Sequence, residues 1–176
     1  MDLSAKIEHS RHYGNEFLTW LLYRSTLGSG AVRTWEGGEI ELWFEDKARA
    51  VDPLKAKEQD TFKGEKPAHS REALEAIRRG KMLEEAGLSI TEGEKEWHFT
   101  LNGPRWTLNS VKLPALLKEE GDDRVLERFY LLEQLHLKLE ALYRTFLELR
   151  LDPGSWKKEK HNLGKWIRGV GTSAEL

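Results

Sequence analysis

The sequence predicts an α+β fold in which two antiparallel three-stranded meanders pack with an N-terminal helix, a middle helix and a long C-terminal helix. Two period-two stretches carry the strands. Ile40, Leu42 and Phe44 alternate with Glu39, Glu41, Trp43 and Glu45, and Trp97, Phe99 and Leu101 alternate with Glu96, His98 and Thr100. Apolar residues spaced by three and four from Val125 to Leu149 carry the long helix.

The first helix covers about 3–25, with Leu3, Ile7, Gly14, Phe17, Leu18, Leu21 and Leu22 close to one face. Gly14 costs about 1 kcal/mol against Ala inside a helix, so it marks a kink or the start of a shorter helix from Asn15. Gly28-Ser29-Gly30 then breaks the helical period. Strands are expected at 31–35, 39–45 and 48–51, separated by Glu36-Gly37-Gly38 and Asp46-Lys47. The lysine-rich stretch 52–67 reads as loop with a short strand at 61–63. Ser70 is an N-cap for a middle helix carrying Ala73, Leu74, Ala76 and Ile77, stopped by Gly80 or Gly87. Its acids lead and its bases trail, which suits the helix dipole.

A second meander follows, with Ala86, Leu88 and Ile90 on one face, a turn at Glu92-Gly93-Glu94, the strand around Trp97, a turn at Asn102-Gly103-Pro104 and a returning strand at 105–109. Its order of elements matches the first group, the pattern a duplicated unit would leave and one that common turns also produce. The long helix begins at Asp122 or Asp123 and runs to about Arg150, with Val125, Phe129, Leu132, Leu135, Leu139, Leu142, Phe146 and Leu149 as one seam. At 1.5 Å per residue it is about 40 Å long, more than the sheet alone covers, so it also packs on the first helix or on another copy of the chain. Asp152-Pro153-Gly154 ends it, and 155–170 reads as a short basic helix. The expected organisation is one α+β domain over 1–152 and a basic C-terminal helix and tail over 153–176.

Composition narrows the function. The 176 residues include no cysteine, which excludes a disulfide scaffold, a cysteine nucleophile and any thiolate metal site. Lys and Arg number 28 against 30 Asp and Glu, and this near balance can hide polarised patches. No apolar run reaches the 18 or so residues of a membrane span, so the expected localisation is cytoplasmic, and no cofactor is expected. Nucleotide-binding and nucleophile-elbow motifs are missing from the sequence.

Three residue sets could carry chemistry. His9, His12 and Glu16 share a helical face and could offer a metal two imidazoles and a carboxylate, or form a solvated helix start. Glu45-Asp46-Lys47 fits part of the acid-x-Lys pattern of metal-dependent nucleases, with Glu16 or Glu36 as a further acid; in that reading Glu16, Glu45 and Lys47 are catalytic. The basic residues form the third set: Arg71, Arg78, Arg79 and Lys81 around the middle helix, and Lys157, Lys158, Lys160, Lys165 and Arg168 near the C-terminus. Several such cations would neutralise DNA phosphates without reading sequence, while Trp156, His161 and Trp166 either stack on nucleic acid or pack on the core.

Gly14-Asn15-Glu16-Phe17-Leu18-Thr19-Trp20-Leu21-Leu22-Tyr23-Arg24-Ser25, Arg79-Gly80-Lys81, Glu96-Trp97-His98-Phe99-Thr100-Leu101, Ser110-Val111-Lys112-Leu113-Pro114 and Phe146-Leu147-Glu148-Leu149-Arg150-Leu151 together resemble the C-terminal region of RdgC-like recombination-associated bacterial proteins. The resemblance implies a homodimeric protein that binds duplex DNA with little sequence preference and tempers a recombinase. It marks Glu16, Thr19 and Trp20 as the most motif-like positions, and the DNA-encircling body of that family has no counterpart in these stretches. The expected function is therefore a non-catalytic accessory protein of DNA recombination that contacts DNA or a DNA-processing protein. The alternatives are an interaction module that forms a homodimer through the 123–151 helix, and a metal-dependent nuclease.

Overall fold

The computed structural model describes residues 3–52, 55–64, 70–118 and 120–169, with the side chains of 3–12, 46 and 55–57 outside that description. The elements run α1 (Leu3–Leu27), β1 (Ala31–Arg33), β2 (Glu39–Asp52), β3 (Lys55–Lys63), α2 (Arg71–Arg78), β4 (Met82–Glu92), β5 (Lys95–Asn102), β6 (Thr107–Lys112), α3 (Gly121–Leu151) and α4 (Pro153–Ile167). The fold is α+β. Its antiparallel strands form one sheet in the order β1-β2-β4-β5-β6, and β3 pairs with β2 along the edge that β1 also uses.

Alternation decides which face is buried. Leu42, Ile90 and Trp97 line up across β2, β4 and β5, as do Phe44, Leu88 and Phe99, and then Ala48, Ala86 and Leu101. These rows are buried, and Phe17, Leu18, Leu21 and Leu22 of α1 and Leu135, Leu139, Leu142 and Phe146 of α3 join them in one core. The opposite face carries the intervening residues, among them the rows Trp43–Ser89–His98 and Arg49–Glu85–Asn102.

The two strand groups are both present, but their wiring differs. β1 and β3 lie end to end on one edge of β2, whereas β5 sits between β4 and β6, and the β2–β4 pairing fuses the groups. Asp46-Lys47 is not a turn. β2 continues through it as one strand, and the residue offset is absorbed as a register shift between Phe44 and Ala48. The stretch expected to be loop forms β3, paired from Lys47–Lys63 to Val51–Gln59. An edge strand leaves its polar side chains wet, so the apolar pattern on which strand reading depends is absent.

Gly80 ends α2, at φ +92°, with the Lys81 N–H reaching the Ala76 carbonyl and the Gly80 N–H that of Ile77. β4 therefore starts at Met82, and Gly87 lies inside it. α1 runs through Gly14 without a break. Gly14 serves a close approach instead: a Cβ there would overlap the Gly103 carbonyl, and one on Gly103 would overlap that of Gly14.

α3 has 31 residues, about 46 Å at the usual rise. Its C-terminal half packs on α1, where Tyr143 and Phe146 meet the Phe17 ring edge-on at 5.2 and 5.6 Å. The Trp97 indole anchors its middle by donating to the Leu131 carbonyl at 3.0 Å. α4 folds back after Asp152, whose carboxylate accepts from the Gly154 and Ser155 amides. Trp156, Leu163, Trp166 and Ile167 then pack against the same core, so the basic helix lies on the α+β body. Residues 170–176 lie outside the described residues. Among the described residues no helix is long and apolar enough to cross a membrane.

Candidate nucleic-acid interface

The distribution of charge on α4 follows from its one acid. Between Pro153 and Gly169 the sequence has five Lys or Arg and a single carboxylate, Glu159. Helical spacing puts Glu159 on the face shared with Trp156, Leu163 and Trp166, and it is buried. Its Oε1 accepts from the Trp20 indole at 2.9 Å and lies 2.6 Å from Arg24 Nε. The latter contact is an ion pair and not an aligned hydrogen bond, since the Arg24 Nε–H has no hydrogen-bond acceptor among the described residues. Burial and the Glu159 carboxylate also push the neighbouring Tyr23 hydroxyl above its usual range.

With Glu159 turned inward, the outer face of α4 carries Lys157, Lys158, Lys160, His161, Lys165 and Arg168, all exposed. Lys158, His161, Lys165 and Arg168 recur at spacings of three and four, which makes one stripe along the helix. The tryptophans interleaved with them face inward. Trp166 packs on Tyr23 at 5.6 Å, and Trp156 meets Phe146 edge-on at 5.9 Å with the Arg150 guanidinium over its ring at 5.0 Å.

The basic residues around α2 are differently disposed. Arg78 donates to the Ile167 carbonyl at 2.6 Å and so satisfies a group at the C-terminal end of α4. Lys81 is mostly covered and pairs with Asp60 at 2.8 Å. Arg79 is 74% exposed but lies 3.6 Å from Glu75. Arg71 and Arg79 both face solvent, beside Glu72 and Glu75. The two basic segments thus adjoin through Arg78, and α4 supplies the larger cationic face, with the Asp152 carboxylate acting on Lys158 at its start.

The motif-like positions hold the helices together. The Thr19 hydroxyl donates to the Asn15 carbonyl and accepts from the Leu83 amide, which docks α1 on β4, while Trp20 holds Glu159. Glu16 accepts from Arg150 at 2.7 Å. They line a cavity of about 200 Å³ with Met82, Trp156 and Lys160.

The nuclease set does not converge. Glu16 belongs to the helical layer, whereas Glu45 meets His98 on the opposite side of the sheet, and Lys47 pairs with Glu85 at 2.7 Å. The His9 and His12 side chains lie outside the described residues, and Glu16 is engaged by Arg150. A different group does form on the open sheet face: Glu45 Oε1 sits 2.7 Å from His98 Nδ1 and Glu96 Oε2 3.5 Å from His98 Nε2. The ligand atoms of these three lie within 4.8 Å of one another, close enough to hold a cation, although both ring nitrogens already face carboxylates. Alternation of Glu96 and His98 on the wet face of β5 was the signal for two members; the third needed the strand register.

Comparison with family models, with curated proteins and with solved structures finds no match to this chain.

Proposed function

We propose that the chain is a non-catalytic accessory protein of DNA metabolism that grips the phosphate backbone through α4 without reading sequence. The observation that carries this reading is the inward turn of Glu159, which leaves five cations along one exposed helix face with no acid among them. Phosphate neutralisation needs a cationic surface of that kind and no converging catalytic set. The inward packing of Trp156 and Trp166 favours backbone contact over base stacking. The link to recombination rests on the sequence resemblance.

Fluorescence anisotropy with a plain labelled duplex tests the proposal. Three to five phosphate contacts give a log–log salt slope of roughly −3 to −4.5, or a roughly 50- to 500-fold loss of affinity for a fourfold rise in salt. Lys158→Ala/Lys165→Ala/Arg168→Ala should flatten the slope by about 3. No binding at low salt, or binding that this triple variant leaves unchanged, refutes the assignment.

A further inference from the structure

The start of α3 carries apolar surface that the described residues leave uncovered. Val125, Leu126, Phe129 and Tyr130 are each more than half exposed, Phe129 to 65%, and Leu132 is exposed to 40%. The helix is anchored in the core only from Leu131 onward. Together these side chains present on the order of 500 Å², the upper part of the range for the largest patch on a monomer.

Their spacing indicates what covers them. Val125, Phe129, Leu132 and His136 recur at four, three and four residues, the seam of a coiled coil, and the same register continues through Leu139, Tyr143 and Phe146, which the subunit's own core takes up. Arg128 and Glu133 are both exposed and flank the open part of the seam at g and e positions, five residues apart. In a parallel pair of identical helices this spacing sets the Arg of one copy against the Glu of the other, twice about the two-fold axis. The seam and its flanking charges are each complementary to themselves, so the fitting partner is a second copy.

We propose that the chain forms a two-fold dimer through residues 125–136 of α3, the helices running parallel and Arg128 pairing with Glu133 across the axis. This half of the helix, and not the whole of 123–151, is the interface, because Leu139, Leu142 and Phe146 are consumed by the core. Tyr130 falls at a b position away from the axis, so the seam buries less than the whole patch and well under the roughly 800 Å² per partner of a standard interface, which makes the expected dimer a weak one.

Analytical ultracentrifugation of the full chain over a concentration series is the test. The expected result is a monomer–dimer equilibrium that Phe129→Glu weakens at least about tenfold, with no loss of thermal stability at concentrations where both proteins are monomers. Arg128→Glu weakens the dimer, and Arg128→Glu/Glu133→Arg restores it. A wild-type chain that stays monomeric, or a dimer indifferent to Phe129→Glu, overturns the interface. A charge swap that fails to restore association overturns the parallel arrangement.

Discussion

Replacing Glu159 with Ala probes the contact on which the cationic face of α4 depends. The carboxylate has 10% of its side chain exposed, accepts from an indole N–H on a ring that is 1% exposed, and neutralises Arg24, which is 38% exposed. Removing it strands the Trp20 N–H in the core, a loss of about 1–3 kcal/mol. Water reaches Arg24 and takes over part of the lost pairing, so that contribution is nearer to about 1 kcal/mol than to the value for a fully buried pair. For a chain of this size the total of about 2–4 kcal/mol lowers the midpoint of thermal unfolding by roughly 5–15 °C. Glu159→Gln keeps an oxygen for Trp20 and should lose only about 1 kcal/mol, or roughly 3 °C. Circular dichroism melts of the three proteins under one buffer condition measure both shifts. An Ala variant that melts within about 2 °C of wild type would mean that Glu159 does not face the core. The acid would then interrupt the outer stripe, and the case for an uninterrupted cationic face would fail with it.

Gly14→Ala should destabilise, by about 1–3 kcal/mol, although Ala is the better helix former, because the added methyl meets the backbone carbonyl of Gly103 and neither element can step aside cheaply. A raised unfolding midpoint would show that α1 and the β5–β6 turn are not in contact. Burial raises the Glu85 pKa, but the Lys47 hydrogen bond, the Arg49 and Lys47 charges and Asn102 outweigh it, so the group titrates below its usual 4.5. A carboxyl depressed in the folded state contributes its full stability above the unfolded value and loses it as pH falls through the folded one. Urea midpoints of wild type should therefore fall on acidification below about pH 4.5, and those of Glu85→Gln should fall less steeply. Parallel profiles would show that Lys47 and Arg49 do not hold this carboxylate.

The sequence was most legible where burial is one-sided. The alternation around Leu42 and Trp97 and the three-four spacing of α3 each reflect one face that must be dry, so strand and helix follow from apolar positions alone. β3 escaped that logic because its polar residues impose no face, and only pairing with β2 makes it a strand. Asp46-Lys47 looked like a turn for a related reason: a bulge and a turn both place charged residues at a break in the alternation. Gly14 was visible, but its cause lay in Gly103, 89 positions away by their residue numbers. At the candidate site the count of cations on α4 could be read directly. The direction of Glu159 could not, since an acid among lysines reads as solvated until Trp20 and Arg24 are seen to claim it.

The two proposed surfaces give the length of α3 a purpose. A helix that served only the core could begin near Leu131, its first buried position, yet α3 starts at Gly121 and carries its apolar residues outward over the added turns. The cationic α4 begins directly after the opposite end, at Pro153. From Phe129 to Pro153 the path along α3 is about 36 Å, so the proposed interface and the start of α4 lie towards opposite ends of the helix. The proposed parallel pairing at the tip would point both α3 C-terminal ends the same way, with each α4 starting at that end of the dimer. A ligand with repeating charge, such as a duplex, can then be held by both, and the second contact forms at the effective concentration set by the first. Under the two proposals, a face of five cations that binds weakly alone at physiological salt would gain affinity from the second copy through effective concentration.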